Sequence, residues 1–161
     1  MINSDIIECS KILLDRNLTI AFAESATAGR MIAEFALVPN AGRFLKGGLV
    51  CYDVDIKKDV LKVDEQIIEK CTPESSEVTE QLALGLSRLI NASIHVAVTG
   101  LTAVGGSESA EKPVGTMFLH ILLNGRELAK NRVLFTGDHE EIVLQTVFYT
   151  ANLLKSRLEN Y

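Results

Sequence analysis

Leu18-Thr19-Ile20-Ala21-Phe22-Ala23-Glu24-Ser25-Ala26-Thr27-Ala28-Gly29-Arg30-Met31-Ile32-Ala33-Glu34-Phe35-Ala36 reads as three pieces in a row. Leu18 to Phe22 is a short apolar run with the character of a buried strand, and Arg30 to Ala36 reads as a helix. Between them lies a turn of small and polar residues, Ala23 to Gly29. Such a handover from strand to helix is the unit of an α/β fold, and ligands in open α/β sheets bind beyond the carboxyl ends of the strands. The first N–H groups of the helix lack intrahelical partners and carry the positive end of its dipole, so developing negative charge is favoured there. Ser25 presents a hydroxyl at this point, with Thr27 a second one. Either residue also serves as a helix N-cap, and the turn alone does not separate the two roles.

Working outward, Ser4 is an N-cap candidate for a helix through about Asp15, with Ile6, Cys9, Ile12 and Leu13 as its apolar stripe and Asn17 as its stop. The helix after the Ser25 turn must end before Pro39, because the residue preceding a proline is pushed out of the helical region. Gly47 to Tyr52 is a second strand, whose two glycines mark a bulge or a close backbone approach. Ile56 to Leu61 reads as a short helix, and an apolar thread of Ile67, Ile68 and Cys71 leads to Thr72-Pro73-Glu74-Ser75-Ser76, a helix-start signal. Val78, Leu82, Leu86, Leu89 and Ile90 follow at helical period.

The run Ile94-His95-Val96-Ala97-Val98-Thr99 is β-branched and apolar on both faces, the mark of a central, covered strand. Leu101 to Pro113 is the longest irregular segment, of a length more typical of a binding or lid element than of a plain connector. Val114 to Leu123 and Arg126 to Phe135 flank Asn124-Gly125, a pair suited to a type I′ hairpin. Asp138 and Glu141 form a capping box before a long helix that buries Ile142, Val147, Phe148, Ala151, Leu154 and Leu158. The order α-β-α-β-α-α-β-β-β-α specifies one α/β domain over residues 1–161, a three-layer α/β/α arrangement with a mixed, mostly parallel sheet.

A length of 161 residues suits a single domain, and 47% hydrophobic with 23% charged residues is the composition of a globular chain. The net charge of −5, with no Lys/Arg cluster, argues against non-specific nucleic-acid binding. No apolar run approaches a membrane span, and the amino terminus does not resemble a secretory signal. Cys9, Cys51 and Cys71 are odd in number and widely spaced, which suits a reducing cytoplasm. His95, His120 and His139 are scattered too, and nothing in the spacing points to a metal site.

Beside Ser25, the pieces with chemistry are Tyr52 at a strand end, Lys57 one turn later, and the glycines after the central strand. A lysine serves as general base for a serine where burial lowers its pKa, and a tyrosine hydroxyl relays a proton or binds an oxyanion. Against this, Lys57 beside Lys58 is equally the pattern of a solvated helix face, and Tyr52 that of a strand-end aromatic with a wet hydroxyl. The order of Ala23 to Gly29, Gly47 to Tyr52 with Lys57, Val96 to Gly100, Glu111-Lys112-Pro113-Val114-Gly115-Thr116 and Phe135 to Asp138 resembles the CinA C-terminal domain family, which includes stand-alone nicotinamide mononucleotide deamidases.

The resemblance implies an amidohydrolase that converts nicotinamide mononucleotide and water to nicotinate mononucleotide and ammonia in pyridine-nucleotide salvage. It implies Ser25 as nucleophile, Lys57 as base and Tyr52 as a supporting hydroxyl. Thr27, Ala28, Gly29, Thr102, Gly105, Gly106 and His139 are the expected substrate contacts, with backbone N–H groups from Ala26 to Gly29 facing the oxyanion. No metal or organic cofactor is required. The expected partners are a small-molecule nucleotide substrate and further copies of the chain in a homo-oligomer, with no nucleic acid and no membrane. The chain departs from the family pattern at Ala26, Ala28, Val54 and His139, where the family has Cys, Gly, Asn and Arg. Two alternatives therefore stay open: a non-catalytic nucleotide-binding or regulatory protein on the same fold, and an amidase for a different small amide.

Overall fold

The computed structural model describes residues 1–161. Five strands, β1 (Ile20–Glu24), β2 (Leu45–Val50), β3 (Ile94–Gly100), β4 (Thr116–Leu123) and β5 (Arg126–Leu134), form one sheet in the order β2-β1-β3-β4-β5. β1 pairs in parallel with β2 and β3, while β4 is antiparallel to both β3 and β5. Four strands therefore run one way and β4 alone the other, the mixed and mostly parallel sheet expected. β3 lies at the centre, as its uninterrupted apolar run requires.

Side-chain alternation along β1 and β3 divides the core into two layers. Ile20, Phe22, Val96 and Val98 pack against α1 (Ser4–Asp15), α2 (Arg30–Ala36) and α6 (His139–Glu159) in one apolar cluster. Ala21, Ala23 and Ala97 face the other way, into a second cluster with α5 (Ser76–Leu89) and the residues around α3 (Val54–Asp59) and α4 (Glu65–Cys71). α4 is one helix more than the sequence pattern suggested. Its seven residues are too few for a clear helical period, and Asp64 starts it by accepting from Gln66 N–H.

Several boundaries move for identifiable reasons. Asn3, not Ser4, caps α1, accepting from Asp5 N–H at 2.8 Å. Asn17, at φ 53°, ends that helix: its N–H reaches Leu14 O at 3.2 Å while Leu18 N–H reaches Leu13 O at 2.9 Å, a Schellman closure. Leu18 is thus taken by the helix end, and β1 begins at Ile20 and runs on to Glu24, two residues beyond the expected Phe22. Both readings of the glycines in β2 hold. The pairing with β1 skips Lys46 and resumes at Gly47, and a Cβ on Gly48 would stand 2.1 Å from Phe22 O. Asn124 and Gly125 both have positive φ, 50° and 77°, as a type I′ turn demands. α6 carries the expected capping box, but Phe148 is only partly buried, while Val143, Thr146 and Thr150 join the buried face. No helix is long and apolar enough to cross a membrane.

Candidate active site

A cavity of about 210 Å³ opens at the carboxyl ends of the parallel strands. Ser25 and Ala26 reach it from the turn after β1, Tyr52 from the end of β2, Glu74 from the turn before α5, and Gly100 to Gly106 from the segment after β3. Sheet order explains the convergence, because β2, β1 and β3 are neighbours that end on the same side. The first half of the long irregular segment does line the site.

Lys57 lies beneath Ser25 and is only 2% exposed. Asp53 caps α3 through Asp55 N–H, which sets Lys57 one turn into a helix that turns back under the β2 end. Lys57 Nζ is 2.9 Å from Ser25 Oγ, 2.6 Å from Cys51 O and 3.1 Å from Tyr52 O. Burial holds its pKa below the ordinary 10.5, against the opposing pull of Cys51, Glu74 and Asp53. Carbonyl oxygens only accept, so both carbonyl contacts consume amine hydrogens whatever the protonation state. A neutral Lys57 then keeps its lone pair for Ser25 Oγ, whose hydroxyl becomes the donor. Lys58, by contrast, turns outward to Glu65 at 2.8 Å and Asp55 at 3.4 Å. The solvated-face reading holds for Lys58 and fails for Lys57.

Glu24 organises the turn that carries Ser25. Its side chain is fully buried at the end of β1. The carboxylate accepts from Thr27 Oγ1 at 2.6 Å, Gly29 N–H at 3.0 Å, Met31 N–H at 3.0 Å and Ile32 N–H at 2.7 Å. The amino end of α2 therefore already holds an anion, and it belongs to the chain. This corrects the expectation that a ligand's charge is received there: Gly29 N–H is occupied by Glu24, and Ala28 N–H by Ser25 O at 3.1 Å. Ala26 and Thr27 N–H groups have no acceptor in the protein, and Ala26 lines the cavity next to Ser25. The N–H of the residue after a nucleophile is the usual first oxyanion donor.

The expected contacts divide accordingly. Ser25, Tyr52, Thr102, Gly105 and Gly106 line the cavity, with Lys57 immediately below. Thr27 is buried on Glu24, and neither it nor Ala28 and Gly29 reaches the lining. His139 is exposed at the start of α6, its Nδ1 3.3 Å from Thr102 O, outside the lining. Tyr52 is 64% exposed, and its hydroxyl is free of protein partners while its carbonyl holds Lys57. Glu24 and Glu74 were not singled out from sequence. A Glu ending a strand reads as a surface turn, and Glu74 sits in a cluster fully explained as a helix start, with Ser75 as the cap. No group of three or more His, Cys, Asp or Glu is placed to hold a metal ion.

Known proteins share this architecture. The chain is similar to a CinA superfamily protein from Klebsiella pneumoniae, with 25% identity and a TM-score of 0.92 over 98% of this chain and 97% of that one. It is similar to the competence/damage inducible protein CihA from Agrobacterium tumefaciens, with 28% identity and a TM-score of 0.88 over 98% of each chain. Among sequences, a CinA-like protein of Dictyoglomus thermophilum is 34% identical over 149 residues, 92% of this chain and 36% of that protein. A CinA-like protein of Thermotoga maritima gives the same identity and coverage. The chain thus spans about a third of the length of the curated relatives it matches. The model of the CinA C-terminal domain matches residues 5–158, and with that match over nearly its whole length the chain belongs to the CinA C-terminal domain family.

Proposed function

We propose that the chain is an amidohydrolase of the nicotinamide mononucleotide deamidase type. The observation that carries this reading is the buried Lys57 Nζ at 2.9 Å from the Oγ of Ser25, a residue that lines the cavity. In a regulatory protein on this fold the amine would serve only to hold Cys51 O and Tyr52 O, whereas a serine nucleophile needs a base at its hydroxyl, where Lys57 also stands.

Ser25 Oγ attacks the carboxamide carbon as its proton passes to the neutral amine of Lys57. Ala26 N–H, which is free of protein acceptors on the cavity lining, supplies a hydrogen bond to the oxyanion. Collapse of the tetrahedral adduct breaks the C–N bond, and the Lys57 ammonium protonates the leaving nitrogen to give ammonia and an acyl-Ser25 ester. Water then attacks the ester with Lys57 again taking the proton, which returns to Ser25 Oγ as the carboxylate product leaves. Tyr52, a lining residue whose hydroxyl has no protein partner, assists the proton transfers.

Purified protein incubated with nicotinamide mononucleotide is expected to release ammonia, with Ser25→Ala and Lys57→Met each lowering kcat/KM by about 10³-fold or more. Because burial lowers the Lys57 pKa, kcat/KM is expected to rise with pH and level off below 10.5, and Lys57→Arg, which cannot lose its proton, is inactive throughout. No ammonia from the wild type, or activity retained in Ser25→Ala, overturns the proposal.

A further inference from the structure

The cavity lining contains one charged side chain, Glu74; the other lining residues are neutral. Its Oε2 accepts from Ser107 Oγ, which orients the carboxylate. Lys112 is the obvious counter-ion but makes no direct contact with the carboxylate, and its charge, like that of Lys57, acts on Glu74 only from farther away. Its Nζ donates to Thr72 Oγ1 at 2.5 Å, Ser107 Oγ at 2.7 Å and the Glu74 carbonyl oxygen at 2.9 Å, which uses all three ammonium hydrogens. No Lys, Arg or His nitrogen lies within 4.0 Å of the Glu74 carboxylate. The carboxylate is therefore half-buried, fixed by a neutral donor and left without an ion pair.

The backbone that presents it is strained. Thr72 has φ 71° and ψ 158°, a region essentially reserved for glycine and costly for a β-branched residue. Lys112 ties this turn down through Thr72 Oγ1 and the Glu74 carbonyl, and ties Ser107 to it from the segment after β3. Such strain persists where the surroundings over-determine a conformation, and here they aim one carboxylate at the cavity that holds Ser25.

A carboxylate without a direct ion pair, on a lining that holds no other charged residue, favours positive charge beside it and disfavours phosphate and carboxylate. The geometry points to Glu74 as a specificity-determining residue for the charge of the substrate ring. On the reading of this cavity as a carboxamide hydrolase, the amide sits at Ser25 and Glu74 favours a carboxamide borne by a cationic aromatic ring. A neutral ring is disfavoured by comparison, and any phosphate is directed away from the Glu74 side.

Nicotinamide mononucleotide and its 1,4-dihydro form test this, since they share ribose, phosphate and carboxamide and differ by one hydride, which removes the ring's charge and aromaticity; the change in their ratio on substituting Glu74 reads the charge. Titration calorimetry and ammonia release are measured for both compounds on the wild type, Glu74→Gln and Glu74→Ala. The wild type is expected to prefer the cationic form, and both variants to lower the ratio of cationic to neutral by roughly tenfold. The Gln variant keeps an acceptor for Ser107, and the Ala variant serves if Gln perturbs folding. Ammonia from both compounds at a ratio that neither substitution changes sinks the Glu74 assignment and leaves the hydrolase reading standing. A Glu74-dependent binding preference without ammonia does the reverse. Failure of the wild type to bind either compound overturns the assignment.

Discussion

Four donors converge on the Glu24 carboxylate, and all belong to the turn and helix that follow Ser25. A glutamine there offers one acceptor oxygen in place of two, so at least one buried N–H faces an NH₂ group. Glu24→Gln is expected to cost about 1.5–3 kcal/mol in urea denaturation, the range for hydrogen bonds to a charged group, and a change below about 0.5 kcal/mol would discard its role as the cap. Ala28 argues the opposite sign. It sits at φ 48° with its side chain in solvent, where an L side chain is strained by about 1–2 kcal/mol. Ala28→Gly relieves that strain but adds freedom to the unfolded chain, so a net gain of about 0.5 kcal/mol is expected in the same assay, and a loss would contradict it. At this scale Ser25, Tyr52 and Lys57 were legible because residue type and order along the chain carry their chemistry. Glu24 and Glu74 were not: each has a complete local explanation, and only the tertiary placement of a carboxylate under a helix end, or on a cavity wall, distinguishes them.

Elements were more legible than residues, because burial imposes a period that the sequence displays over many positions at once. β3 shows its central place through six consecutive buried residues, and the hairpin of β4 and β5 through Asn124-Gly125. Helix ends and short helices are set instead by single hydrogen bonds, which is why β1 moved by two residues and α4 went unseen. Gly48 joins the two levels. Its partner across the ladder is Phe22, and an added Cβ would meet Phe22 O at 2.1 Å and Ile32 Cδ1 at 2.8 Å. A backbone carbonyl cannot rotate away as a side chain can, so the substitution must push β2 from β1 or from α2. Gly48→Ala is expected to destabilise by about 3 kcal/mol by overpacking, and to lower ammonia release further, because β2 leads directly into Cys51 and Tyr52, whose carbonyls hold Lys57. Stability and turnover both unchanged would mean that the strands tolerate the wider spacing.

For the molecule as a whole, the layered core encloses an amine whose charged form burial disfavours. Lys57 has its pKa lowered by burial, so between its folded value and the ordinary 10.5 the unfolded chain binds more protons at this residue than the folded one. Stability rises with pH wherever the unfolded state holds more protons, so this contribution climbs through that window, and below it the penalty is present in full. Lys58, Lys130 and Lys155 shift the other way through their carboxylate partners, but they are common to wild type and variant and cancel in a difference. Cys51, the thiol next to the amine, is itself raised by burial to about 11 and stays protonated through the window. The stability of Lys57→Met minus that of the wild type is therefore expected to be largest near pH 7 and to shrink steadily toward pH 10, measured by urea denaturation at several pH values. The absolute sign at pH 7 depends on how far Cys51 O and Tyr52 O find other donors, whereas the slope depends on the proton alone. A difference that stays flat over this range would mean that Lys57 gives up its proton no more readily than an exposed lysine, and with it would fall the premise that a neutral amine waits beside Ser25.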